Sequence, residues 1–202
     1  MVLMVALVAL PLSLYLFHRL AAAVSAVTTL SKGQTRWILF PVFCLFYTLP
    51  LLFLFYSIQG MTEDLFVFQT QVTLLDYLFH FPFWWGLIIL LESVPVFLVL
   101  DVFSLVTRLW PEIHPRWLKG QAYLKIGCVC VLALYVPIRS YGDTYHVRNT
   151  VAEVGVDGLP AELEGLRIAL LADIQVDRFT GRRKLNQIKD LLNATEHDLF
   201  FF

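Results

Sequence analysis

The sequence predicts a multi-span α-helical membrane bundle followed by the start of an α/β domain, and three features carry that expectation. Hydrophobic residues fill 58% of the 202 positions against 15% charged, and mean hydropathy is +0.71, whereas soluble domains keep about a quarter of their residues charged. Four stretches come close to the roughly 20 apolar residues that a helix needs to cross a hydrocarbon core about 30 Å thick. Beyond Arg139 the charges become frequent and the pattern turns to that of ordinary strands and helices. The chain is therefore divided into a transmembrane region at 1–138, a polar connector at 139–149 and an incomplete α/β domain at 150–202.

The first helix is expected over about 2–20. No Lys or Arg precedes its apolar run as one would in a secretory signal, so it is read as retained rather than cleaved. The second, about 37–58, is rich in Phe and Leu. Its Pro41 and Pro50 are tolerable because neighbouring helices satisfy the freed backbone groups. The third, about 83–105, opens on Trp84 and Trp85, residues suited to the aromatic belt at a membrane interface. The fourth is about 122–138. Asp64 to Phe81 is apolar but interrupted by Gln69, Gln71, Asp76 and His80, which suggests an interfacial helix instead of a fifth span.

The loop after the first helix holds Arg19, Lys32 and Arg36, and the third loop holds Arg108, Arg116 and Lys119. The loop between them holds Glu63, Asp64 and Asp76. The positive-inside rule then puts the first and third loops in the cytoplasm and, with four spans, the soluble tail outside it. Integral, multi-pass membrane residence with lipids as the surrounding partner is the expectation. The net charge of −1 offers no basic surface for nucleic acid. Cys44, Cys128 and Cys130 lie in apolar runs with no CxxC pair, which reads as packing rather than redox or metal chemistry.

Two carboxylates fall in or near the third span. An ionisable group at the bilayer centre costs roughly 2.5–3.5 kcal/mol on insertion scales, so it points by default to function. Glu92 is the intramembrane residue to suspect, with helix packing beside Pro95 as its plainer role, and Asp101 is expected at the interface. Nine residues at about 100° each put the two on opposite faces, and no cationic partner is expected in the other spans.

In the tail, Ala152, Val154 and Val156 alternate with Glu153 and Gly155 as a half-buried strand would. Gly158 and Pro160 mark a turn. Leu166 to Ile174 then forms a nearly continuous apolar run that includes Asp173, the pattern of a strand covered on both faces. Thr180 is placed to cap a helix whose Leu185, Ile188, Leu191 and Leu192 share a face. A further strand begins near Asp198.

The stretch LEGLRIALLADIQVDRFTGRRKLNQIKDLLNATEHDLFFF resembles the first motif region of membrane-attached calcineurin-like metallophosphoesterases. The resemblance covers about residues 150–202 and implies a four-layer αββα domain that hydrolyses phosphomonoesters or diesters. It implies two divalent metal ions of Mn, Fe or Zn type, and an Asp-x-His motif at the end of this strand. Asp173 matches the aspartate. Gln175 stands where the histidine belongs, and an amide oxygen is a weaker transition-metal ligand than imidazole. No catalytic residue is assigned within the chain, because the remaining motifs are expected after Phe202 and this portion alone is expected to be inactive. Asp177 is read as a turn residue or a neighbour of the metal site. Arg178, Arg182 and Arg183 are read as a solvated helix start that could also attract phosphate. The alternative is a non-enzymatic membrane protein, structural, regulatory or transport-like, with a vestigial tail.

Overall fold

The computed structural model describes residues 2–60, 72–172, 174 and 180–202. Four helices in it are long and apolar enough to cross a membrane. Helix α1 spans Val2–Val27, α2 Lys32–Ile58, α3 Phe81–Thr107 and α4 His114–Tyr145. Each begins or ends beyond the expected apolar core, because a helix continues through polar flanks as long as its backbone bonds can be made. The entry to α2 shows the local cause. Ser31 Oγ accepts from the Gln34 N–H at 3.2 Å and Gln34 Oε1 accepts from the Ser31 N–H at 2.9 Å, a reciprocal cap that starts the helix five residues before Trp37.

The expected interfacial helix at Asp64 to Phe81 is corrected in its second half. Asp76–His80 forms a π-helical turn that runs directly into α3, and Asp76 Oδ2 accepts from both the N–H and the hydroxyl of Thr73 at 2.8 and 2.9 Å. That bonding satisfies the carboxylate, which is buried, so the segment behaves as the start of the third helix. Residues 61–71 lie outside the described ones.

The chain separates into two compact units, one ending at Arg139 and the other covering Ser140–Phe202. In the first, small side chains on α1 let its neighbours approach. Ala6 joins Val2, Leu49 and Phe83 in one buried cluster, and Ala9 joins Leu90 and Val94 in another. Phe46 packs against both clusters and stacks on Phe83 with ring centroids 5.3 Å apart. Gly86 is required here, since a Cβ on it would stand 2.6 Å from the Phe46 ring. Outward positions such as Leu7, Val42, Leu51, Phe55, Val99 and Val131 are exposed and apolar, as suits helices whose solvent is hydrocarbon.

In the second unit a short parallel pair carries the regular structure. Strand β1, Ile168–Leu170, pairs with β2, Leu199–Phe201, in the register Ile168 to Leu199, Ala169 to Phe200 and Leu170 to Phe201. Helix α5, Arg182–Ala194, lies between them in sequence, which makes a β-α-β unit. The Arg167 N–H donates to Asp198 Oδ2 at 2.8 Å, and Arg167 also pairs with Glu196. The strand expected at Thr150 to Val156 does not form; these residues are irregular and exposed, because alternation supplies one apolar face but no ladder partner. Thr180 is not the residue that caps α5. Gly181 occupies that position with extended backbone and no side-chain bond.

Candidate functional site

Asp173 and Gln175, the expected metal ligands, lie outside the described residues, as do Asp177 and Arg178. What is described on either side includes Leu171, just after β1, and the start of α5. The Leu171 N–H donates to the Phe201 carbonyl at 3.0 Å, and Arg182 and Arg183 open the helix. Among the described residues no three His, Cys, Asp or Glu side chains gather as a metal site. One carboxylate and one amide oxygen, the donors that Asp173 and Gln175 would place at the motif's two positions, would suit an oxygen-preferring ion such as Mn²⁺ better than Zn²⁺.

Glu92 lies at the middle of the third helix on its exposed surface, and it makes no hydrogen bond or ion pair among the described residues. The residues buried on α3 are Phe81, Phe83, Leu90, Ser93, Val94 and Phe97. Their spacing runs on to Asp101, which faces the interior, whereas Glu92 points away from it.

Asp101 is not an isolated interfacial carboxylate, and the expectation that the other spans hold no cation is corrected. Its Oδ2 accepts from the Tyr15 hydroxyl at 2.6 Å and pairs with Arg19 Nε at 2.8 Å. Its Oδ1 accepts from Gln121 Nε2 at 2.9 Å and from Lys125 Nζ at 2.5 Å. Four donors from α1 and α4 thus converge on one carboxylate from α3. The Lys125 side chain is 6% exposed and that of Asp101 15%, while Arg19 remains 49% exposed. The Phe97 ring lies 5.4 Å from Lys125 Nζ, and the Tyr15 ring 5.7 Å from the Arg19 guanidinium carbon, distances at which an aromatic face attracts a cation.

The arrangement follows from position along each helix. Asp101 stands six residues before the end of α3, Arg19 eight before the end of α1, and Lys125 eleven after the start of α4. Two cations against one carboxylate leave the cluster with a formal charge of +1. A signal for it was present in the sequence, since Lys125 falls inside the fourth apolar run and a buried ammonium requires a counter-ion.

No protein-family model, curated protein or solved structure matches the chain.

Proposed function

We propose that the four helices anchor a metal-dependent phosphoesterase module at a membrane, and that Asp173 is one of its metal ligands. The observation that supports this most is the parallel pairing of Ile168–Leu170 with Leu199–Phe201 across helix Arg182–Ala194. Parallel α/β sheets bind their ligands beyond the carboxyl ends of their strands, and Asp173 follows β1 in sequence by three residues. Asp173 would give a carboxylate oxygen to the ion and Gln175 an amide oxygen, while Arg182 and Arg183 would hold a phosphate anion close by. A divalent pair in such a module polarises the phosphoryl oxygens and lowers the pKa of a bound water. The basic residues on the helices flanking the α1–α2 and α3–α4 turns favour a cytoplasmic position for those turns and an extracytoplasmic one for the tail.

The test uses the protein expressed from its complete reading frame and purified in neutral detergent. Mn²⁺ binding is followed by electron paramagnetic resonance, and hydrolysis with p-nitrophenyl phosphate. Asp173→Asn should abolish both while leaving the helical circular dichroism unchanged, and Glu92→Ala should leave both intact. Unaltered Mn²⁺ binding and hydrolysis in Asp173→Asn would remove the reading. A second reading, a membrane protein whose work lies in its helices, is favoured by the saturated carboxylate at Asp101 rather than by Glu92.

A further inference from the structure

The charge cluster around Asp101 is more than a packing device, because its charges do not cancel. Lys125 and Asp101 neutralise each other in the interior, and the remaining positive charge is carried by Arg19, about half exposed at the bundle surface. A guanidinium has five N–H donors in a planar fork, and Asp101 takes Nε. A cation that shares its one carboxylate with a second cation is only partly neutralised, and at a membrane it draws a further anion to itself.

Depth indicates which anion. The continuous helical stretch from Asp76 to Thr107 has 32 residues, as does α4, so each is about 48 Å long and extends about 9 Å beyond a 30 Å hydrocarbon core at either end. Six residues from the end of α3, Asp101 therefore lies about 9 Å from it, at the edge of the hydrocarbon. Arg19 lies slightly deeper on α1, within reach of that edge for a long side chain. The same end of the bundle carries Lys32, Arg36, Arg108, Arg116 and Lys119, all exposed, against Glu112. Phosphate is the anion found at this depth, and Arg binds it through two parallel N–H bonds. Basic side chains grouped between membrane helices are a recognised form of site for acidic headgroups.

We propose that Arg19, held by Asp101 and Tyr15 and backed by Lys125, binds the phosphate of an acidic phospholipid at the basic end of the bundle. The site depends on the helices spanning a membrane and is independent of the phosphoesterase reading. Asp101 and Tyr15 are positioning residues that fix the guanidinium, and the lipid tails lie against the exposed apolar surface of α1 and α3.

The full chain in neutral detergent is mixed with dihexanoyl phosphatidylglycerol, with dihexanoyl phosphatidylcholine or with inorganic phosphate, and bound adducts are counted by native mass spectrometry. Wild type should retain phosphatidylglycerol over phosphatidylcholine, and Arg19→Gln should lower that retention about tenfold, the worth of a charge-assisted pair of bonds. Arg116→Gln, a charge loss at the same end, should lower it by less than about twofold. Arg19→Lys, which keeps the charge and can keep its pairing to Asp101, is read alongside in case Arg19→Gln does not fold, and should fall between the two. Equal retention of phosphatidylglycerol by wild type and folded Arg19 variants would overturn the site. Retention of phosphatidylcholine equal to that of phosphatidylglycerol would overturn recognition of the anion. Inorganic phosphate bound as tightly as the lipid would overturn the lipid as source and leave a soluble phosphate as the occupant.

Discussion

Replacing Asp101 by Asn should destabilise the bundle more than replacing Lys125 by Met, although the two share a single contact. Asp101→Asn leaves the Lys125 ammonium, with a side chain 6% exposed, facing an amide, Gln121 and the Phe97 ring. Removing one partner of a buried ion pair in this way costs about 3–5 kcal/mol. Arg19 adds little to that figure, because its half-exposed head, within reach of the hydrocarbon edge, can turn outward to the polar headgroups. Lys125→Met, by contrast, leaves the carboxylate with Tyr15, Arg19 and Gln121 as donors, so the loss is that of one charged hydrogen bond, about 1.5–3 kcal/mol. The double variant removes both charges and should be no less stable than Asp101→Asn alone, since a buried pair exchanged for neutral groups is often close to neutral. Reversible SDS unfolding in mixed micelles, followed by far-UV circular dichroism, measures all three. The reasoning fails if Asp101→Asn lies within about 0.5 kcal/mol of wild type, a surface-like effect. It fails equally if the double variant loses the sum of the two single losses, which would mean that the residues do not interact.

Other consequences concern local packing and the membrane. Ser31→Ala removes half of the cap on α2 and should cost about 1 kcal/mol, with faster hydrogen exchange at the Gln34 amide as its local sign. Gly86→Val drives a side chain into the Phe46 ring, which cannot retreat because it is stacked on Phe83; a loss of about 1–3 kcal/mol in the same unfolding assay is expected, reduced in part by better helix propensity. Glu92→Leu exchanges an exposed mid-helix carboxylate for an apolar group and should favour membrane insertion of α3 by about 3 kcal/mol in a glycosylation-based insertion assay. Poorer insertion of that variant would show that Glu92 is held by something the helices themselves do not supply.

The apolar runs made the four helices legible, since length and hydropathy suffice to find a helix in lipid. Their ends were not legible in that way, because helix ends depend on bonds such as that between Ser31 and Gln34, which hydropathy does not register. The β-α-β order of the tail was legible from the apolar runs at Leu166 and Asp198 and the one-sided helix between them. The strand at Thr150 to Val156 misled, because alternation describes a face without describing what pairs with its edge. The two proposed metal ligands, Asp173 and Gln175, fall outside the described residues.

The two carboxylates of α3 show where reading a membrane helix from sequence stops short. Their nine-residue separation placed them on opposite faces, and the structure agrees, with Asp101 turned to the interior and Glu92 to the surface. Which face was which could not be taken from hydropathy, because α3 is apolar all round and offers no polar side to mark the exterior. The deciding information lay on the other helices. Asp101 has an ammonium and a guanidinium within reach only if α1 and α4 present Arg19 and Lys125 at its depth. Counting residues from the helix ends at Val27, Thr107 and His114 puts all three within about 17 Å of the same end. Matching opposite charges by depth across spans, before assigning function to a lone carboxylate, would have identified Asp101 as the partnered residue and Glu92 as the one without a partner among the described residues. A mid-span charge is therefore best judged by the charges at its own level on neighbouring helices, since in hydrocarbon a partner at that level decides whether the charge is tolerated as structure or must be accounted for by a ligand.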